Sequence, residues 1–223
     1  MQLALFRIYI RICEGAIGDL EDIPEMRISE VRRELAPLVN MTEDNLRVRT
    51  DALYKQSQLH AILPGRRAVG SDREGLLATA GATALVTLTA MLGKTRETIG
   101  PEVVRLWEAT CATLTGNPLE KCETAGALLI TLLKDSGVRR RLKYFEVDHD
   151  IPHLAFEFKR GLRLVYSPYA PGEWQRRMDD AYARGDLAHI SRLPRATLDK
   201  VARLIEEDTQ NEGPHKQSRP SRS

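Results

Sequence analysis

Between residues 42 and 73 the chain carries side chains suited to reading base edges and holding phosphates. Thr42 and Asn45 offer donors and acceptors, Arg47, Arg49 and Lys55 follow within the next turns, and Arg66, Arg67 and Arg73 occupy a glycine-containing segment just beyond. A helix that enters a major groove must present such groups from its first turns. Cations on a neighbouring loop would lie along phosphates or enter a minor groove. The spacing predicts a contact to double-stranded DNA, with Asn45, Arg47 and Arg49 at base edges and nearby phosphates, and Arg66 and Arg67 on the backbone.

Other residue types capable of chemistry form no comparable set. The sequence holds no GxSxG, no phosphate-binding P-loop, no GxGxxG after a strand and no HExxH, so no enzymatic activity, catalytic residue or cofactor is expected. His149 and His153 in HDIPH are spaced like metal ligands, but Pro152 and the strand context break the helical geometry that spacing needs. They are predicted to lie in a surface turn, with no metal. Glu146, Asp148, Asp150 and Glu157 could hold a metal as in a nuclease. Their alternation along strands predicts a solvated sheet face instead.

The elements that would position the DNA-reading groups are legible nearby. Ser29 is a suitable N-cap for a first helix through Val31, Leu35 and Leu38, ending near Asn40. Thr42 then caps a second helix running to about residue 58, with Glu43 and Asp44 in its first turn. Leu46, Thr50, Leu53 and Ser57 share one stripe of it, so Asp44, Asn45, Val48 and Lys55 point outward. Pro64, Gly65 and Gly70 bracket Arg66, Arg67 and Val69, which predicts a short basic hairpin. Residues 75–93 bear no charge and are read as a buried helix from Thr79 to Leu92 rather than a membrane span.

Three stretches, RISEVRREL, TEDNLRVRTDALYKQSQL and GRRAVGSDREGLLATAGATAL, resemble in order and wing chemistry the winged helix-turn-helix regulators of the multiple-antibiotic-resistance (MarR) type. Their wing commonly carries a DRRA-like segment, where this chain has GRRA. The chain is also similar to regulators of temperate phages and phage-derived elements of alphaproteobacteria, which add a small C-terminal domain with a strand hairpin. The resemblance implies DNA binding and transcription control, and names no ligand.

Further along, Gly93–Gly100 reads as a connector and Pro101 as the first residue of a helix through Val104, Leu106 and Trp107. Another helix carries Cys122, Leu129, Leu132 and Leu133 and ends near Gly137, with the basic run Arg139–Arg141 just beyond. LKYFEV, HLAFEF and LRLVY are strand-like. Gly161 would supply the left-handed residue of the hairpin loop between the second and third. Helices are expected around 174–183 and 194–207. Eight aromatics fall between Tyr144 and Tyr182, so this region is expected to have a core of its own.

The expected fold is α+β, mostly α: an extension at 1–25, with Met26 a candidate start; a winged helix-turn-helix domain at 26–100; a domain at 101–210 with helices and a three-stranded antiparallel sheet; and a disordered tail at 211–223. The C-terminal domain would serve homodimerisation, or contact RNA polymerase or another regulator.

Composition narrows the partners. With 33 Lys+Arg against 31 Asp+Glu, a formal charge of +2 excludes a nucleic-acid coating protein, so a DNA contact needs a local patch. Residues 26–75 hold nine basic and seven acidic side chains. Cys13, Cys111 and Cys122 match neither a disulfide framework nor zinc spacing, and Arg7 and Arg11 interrupt the apolar start, which predicts a cytoplasmic protein with no membrane contact. The alternative reading is a phage or mobile-element adaptor or antirepressor acting by protein contact. A third is a single-strand or RNA binder that stacks bases on Tyr144, Phe156 or Phe158.

Overall fold

The computed structural model describes residues 28–59, 62–63, 79–92, 96–112, 122–184 and 189–210. Helix α1 (Ile28–Leu38) buries Ile28, Val31, Leu35 and Ala36 at helical spacing, with Ser29 inside its first turn rather than capping it. The chain leaves through Asn40 at φ 55°, and the Met41 N–H reaches back to the Ala36 carbonyl at 2.9 Å. A left-handed Asn with this bond is a common helix stop. Helix α2 (Glu43–Leu53) begins almost at once: the Thr42 hydroxyl accepts from the Asn45 N–H at 3.3 Å. It ends at Leu53, earlier than its periodicity predicts, and a short 3-10 turn follows at Ser57–Leu59.

Helix α3 (Ala80–Met91) is the uncharged segment, capped by Thr79 and buried at every position from Ala82 to Met91. Its threonines fit an apolar setting because Thr87 and Thr89 donate to the carbonyls one turn back, of Thr83 and Leu85, at 2.8 and 2.7 Å. Among the described residues no helix is long and apolar enough to cross a membrane.

Helix α4 (Arg96–Trp107) overturns the expected connector: it starts at Arg96 and carries Pro101 inside it. Proline forgoes one helical hydrogen bond. Burial of Ile99, Val103, Leu106 and Trp107, each at most 2% exposed, outweighs that loss. After strand β1 (Thr110–Cys111) come helix α5 (Ala125–Lys134) and helix α6 (Ser136–Arg141). The basic run therefore lies in a helix, capped by Asp135, whose Oδ1 accepts from the Gly137 and Val138 N–H groups at 2.7 and 3.0 Å.

Strands β2 (Leu142–Asp148), β3 (His153–Phe158) and β4 (Arg163–Ser167) form the expected meander. Helix α7 (Pro171–Arg184), strand β5 (Ile190–Pro194) and helix α8 (Arg195–Gln210) complete the described chain. The sheet has five strands, not three, in the antiparallel order β1-β4-β3-β2-β5. β1 and β5 are the two edges. In the β3–β4 turn Gly161 takes φ 78° as expected, and Arg160 takes φ 65° beside it.

One sheet face is apolar: Phe145, Val147, Leu154, Phe156, Leu164, Tyr166 and Leu193 lie in the main core. Phe145 stacks on Phe156 with centroids 5.6 Å apart, and Phe156 meets Tyr166 edge-on at 5.7 Å. That core is continuous with the helices, from Ile28 of α1 to Ala202 of α8. The opposite face carries a small cluster of Ala112, Ala155 and Val165 under Trp174 of α7.

Candidate nucleic-acid interface

The residues predicted to read DNA divide into three groups. Thr42, Asn45, Arg47 and Lys55 are exposed on or just beyond α2, opposite the buried Leu46, Thr50 and Leu53. Packing of that stripe against α1, α3 and α4 fixes the orientation of the polar face. Arg47 bonds Asp44 at 3.2 Å, with both side chains at least half exposed. A solvated pair of this kind is worth about 0–1 kcal/mol, so Arg47 can exchange it for a ligand at little cost.

Arg49 is different. It lies about 60° around the helix from Leu46, is half-buried, and donates from Nη1 to the carbonyl of Leu92 just after α3. Its guanidinium ties α2 to the end of α3 rather than standing on the open face. Arg66, Arg67 and Arg73 lie outside the described residues, as do the rest of the predicted hairpin apart from residues 62–63, the segment 1–25 and the tail 211–223.

The C-terminal sheet departs more sharply from expectation. Glu146 and Asp148 are 2% and 3% exposed, so the acidic strand positions do not form a solvated face. The Glu146 carboxylate is held from both sides: Arg163 donates to Oε1 at 2.7 Å, and Arg192 donates to Oε2 through Nη2 at 3.0 Å and Nε at 3.2 Å. Burying a carboxylate demands such partners. Arg192 also lies over the Tyr144 ring at 4.2 Å.

His153 is buried rather than in a surface turn, its Nδ1–H donating to the Ile151 carbonyl at 2.7 Å and its ring meeting Trp174 edge-on at 5.6 Å. His149 shares a hydrogen bond with the Ser191 hydroxyl at 2.8 Å. Among the described residues no group of three or more His, Cys, Asp or Glu is placed to hold a metal ion. Phe156 and Phe158 are buried and Tyr144 is roofed by Arg192, so the base-stacking platform of the third reading is not presented.

Arg139 is buried as well. It donates from Nε to Asp199 at 3.0 Å and from Nη1 to the Leu132 and Leu133 carbonyls at 2.9 and 2.8 Å. One arginine thus caps the last turn of α5 and pins it to α8. Sequence reasoning missed the paired role of Arg163 and Arg192. The register that the loop at 159–161 sets places Arg163 opposite Glu157, so hairpin pairing alone points to a different carboxylate from Glu146, the one Arg163 holds.

No family model, curated protein or solved structure matches the chain.

Proposed function

We propose that the chain is a sequence-specific, double-stranded DNA-binding regulator of transcription, with α1 and α2 as a helix-turn-helix and residues of about 62–73 as its wing. The observation that carries this reading is the polar face of α2. A capped helix follows a tight left-handed turn, is locked by a buried apolar stripe, and leaves Thr42, Asn45, Arg47 and Lys55 open. Asn45 suits adenine in the bidentate manner and Arg47 suits guanine. Arg49 supports the helix from behind. Arg66, Arg67 and Arg73 would neutralise phosphates from the wing.

A second copy would present a second α2 to a neighbouring half-site and double the modest local charge. The test is a gel shift with mixed genomic duplex fragments, followed by sequencing of the retained pool. Retention of a defined subset, lost in Asn45→Ala and Arg47→Ala, is the expected result. No duplex retention overturns the reading and favours an adaptor acting by protein contact.

A further inference from the structure

At one end of the sheet the topology gathers cations from separate segments of the chain. Helix α6 ends in Arg140 and Arg141, both exposed, and β2 continues directly with Leu142 and Lys143. Leu142 pairs with Phe158, so the turn after β3 brings exposed Lys159 and Arg160 alongside. On the next rows Arg163 pairs with Glu157 and Arg192 with Glu146.

The carboxylates of this region are already committed. Glu146 lies beneath Arg163 and Arg192, which stay 48% and 55% exposed, and Glu157 takes Lys143 at 3.5 Å. Asp199 is shared by Arg139 and Arg195. No ion pair or side-chain hydrogen bond engages Arg141, Lys159 or Arg160 among the described residues. Arg160 also holds φ 65°, a backbone region that L side chains enter at a cost. Unpaired like charges assembled at one end of a sheet repel one another, and a polyanion relieves that repulsion.

We propose that this end of the sheet is a contact for the phosphate backbone of nucleic acid, independent of the α2 reading. Arginine dominates the patch, and its planar fork matches phosphate oxygens in a way an ammonium does not. A lipid surface fits less well, because docking there needs apolar side chains to insert. The exposed large apolar residues among those described are Tyr182 and Ile190, and Ile190 pairs with Asp148 at the opposite end of β2. Glu146 preorganises the patch: it fixes two guanidiniums while leaving them a net positive charge.

The test measures binding of labelled duplex and single-stranded oligonucleotides by fluorescence anisotropy across a salt series, using the full chain and an Arg141→Gln/Lys159→Gln/Arg160→Asn variant. Asn tolerates the left-handed backbone at 160, and far-UV circular dichroism and thermal melting check that the fold is kept. The expected result is a slope of log Kd against log salt that falls by about 2–3 in the variant, and by about 1 in Arg160→Asn alone. The oligonucleotide with the larger fall identifies the strandedness. An unchanged slope overturns the proposal, as does capture on phosphatidylserine vesicles without oligonucleotide binding. Asn45→Ala separates the two surfaces: loss of sequence preference with the slope intact supports the α2 reading. Sequence preference that is unchanged in Asn45→Ala, with a slope that still falls in the sheet-end variants, sinks that reading and leaves this one standing.

Discussion

Glu146 sets the local electrostatics of the sheet because two half-exposed arginines share its carboxylate. Removing one side of a buried pair costs several kcal/mol when the partner stays buried. Here both arginines can turn to water, so Glu146→Gln is expected to cost about 2 kcal/mol in urea unfolding. The same substitution removes a negative charge from beneath the patch, and the Gln carbonyl can still accept from a guanidinium and keep it placed, so oligonucleotide binding should tighten as stability drops. Loss of both together would make Glu146 a folding residue alone. His153 makes a separate pH prediction. Burial pushes its imidazole below the ordinary value of 6.5, opposed by the Nδ1–H bond to Ile151 and by the Asp148 and Glu146 charges, and reinforced by Arg163. The unfolded chain therefore takes up a proton as pH falls past about 6.5 while the folded chain does not. Stability should decline as pH falls below about 7, and His153→Gln should flatten that decline in urea midpoints measured at successively lower pH. At this scale the sequence showed residue types but not partners. Arg49, Arg139 and Arg163 look alike in the chain, and only the fold assigns one to the Leu92 carbonyl, one to Asp199 and one to Glu146.

Elements were legible where an internal pattern makes them and obscure where a neighbour does. α2 was anticipated because Thr42 caps it and its apolar residues keep a helical pattern, and α3 because its uncharged run is unbroken. The β2–β4 meander was anticipated from alternation and Gly161. β5 was not: ISRLP has little alternation and ends in proline, which an edge strand tolerates and a central one does not. It is a strand because β2 offers it a free ladder, from Asp148 opposite Ile190 to Tyr144 opposite Pro194. The crossing of α4 and α5 gives the matching mutational contrast. A Cβ on Gly126 would stand 2.3 Å from the Trp107 ring, whereas one on Gly172 in the first turn of α7 meets nothing within 4 Å. Gly126→Ala should lower stability by about 1–3 kcal/mol despite the better helix propensity of alanine. Gly172→Ala should be neutral or stabilising by up to about 1 kcal/mol. Equal effects in chemical denaturation would mean that α4 and α5 do not approach so closely.

At the scale of the molecule, the expected boundary near residue 100 meets a core that runs through it. Gly100 lies inside α4, between buried Ile99 and Val103, and α1 packs not only on α2 and α3 but on α8, nearly at the other end of the described chain. Ile28, Leu88, Trp107, Leu129, Phe145 and Val201 belong to one contiguous set of buried side chains. Composition could not reveal this, since the aromatic-rich C-terminal half and the aliphatic N-terminal half each hold enough apolar residues for a core of their own. What joins them is the all-round apolar surface of α3, which needs cover on every side and takes it from α1, α2, α4 and α5. A fragment of residues 26–100 would expose the α3 surface that α5 covers and leave α4 cut in its second turn. Expressed alone, it is expected to lack near-UV circular dichroism and a cooperative urea transition, while the intact chain unfolds in one transition seen alike by near- and far-UV signals. A fragment that unfolds cooperatively would restore two independent domains, and the DNA-reading helix could then be studied without the sheet. Should the fragment fail to fold, the two proposed contacts belong to one cooperative body, and a substitution that destabilises either would weaken both unless the protein is assayed well below its melting temperature.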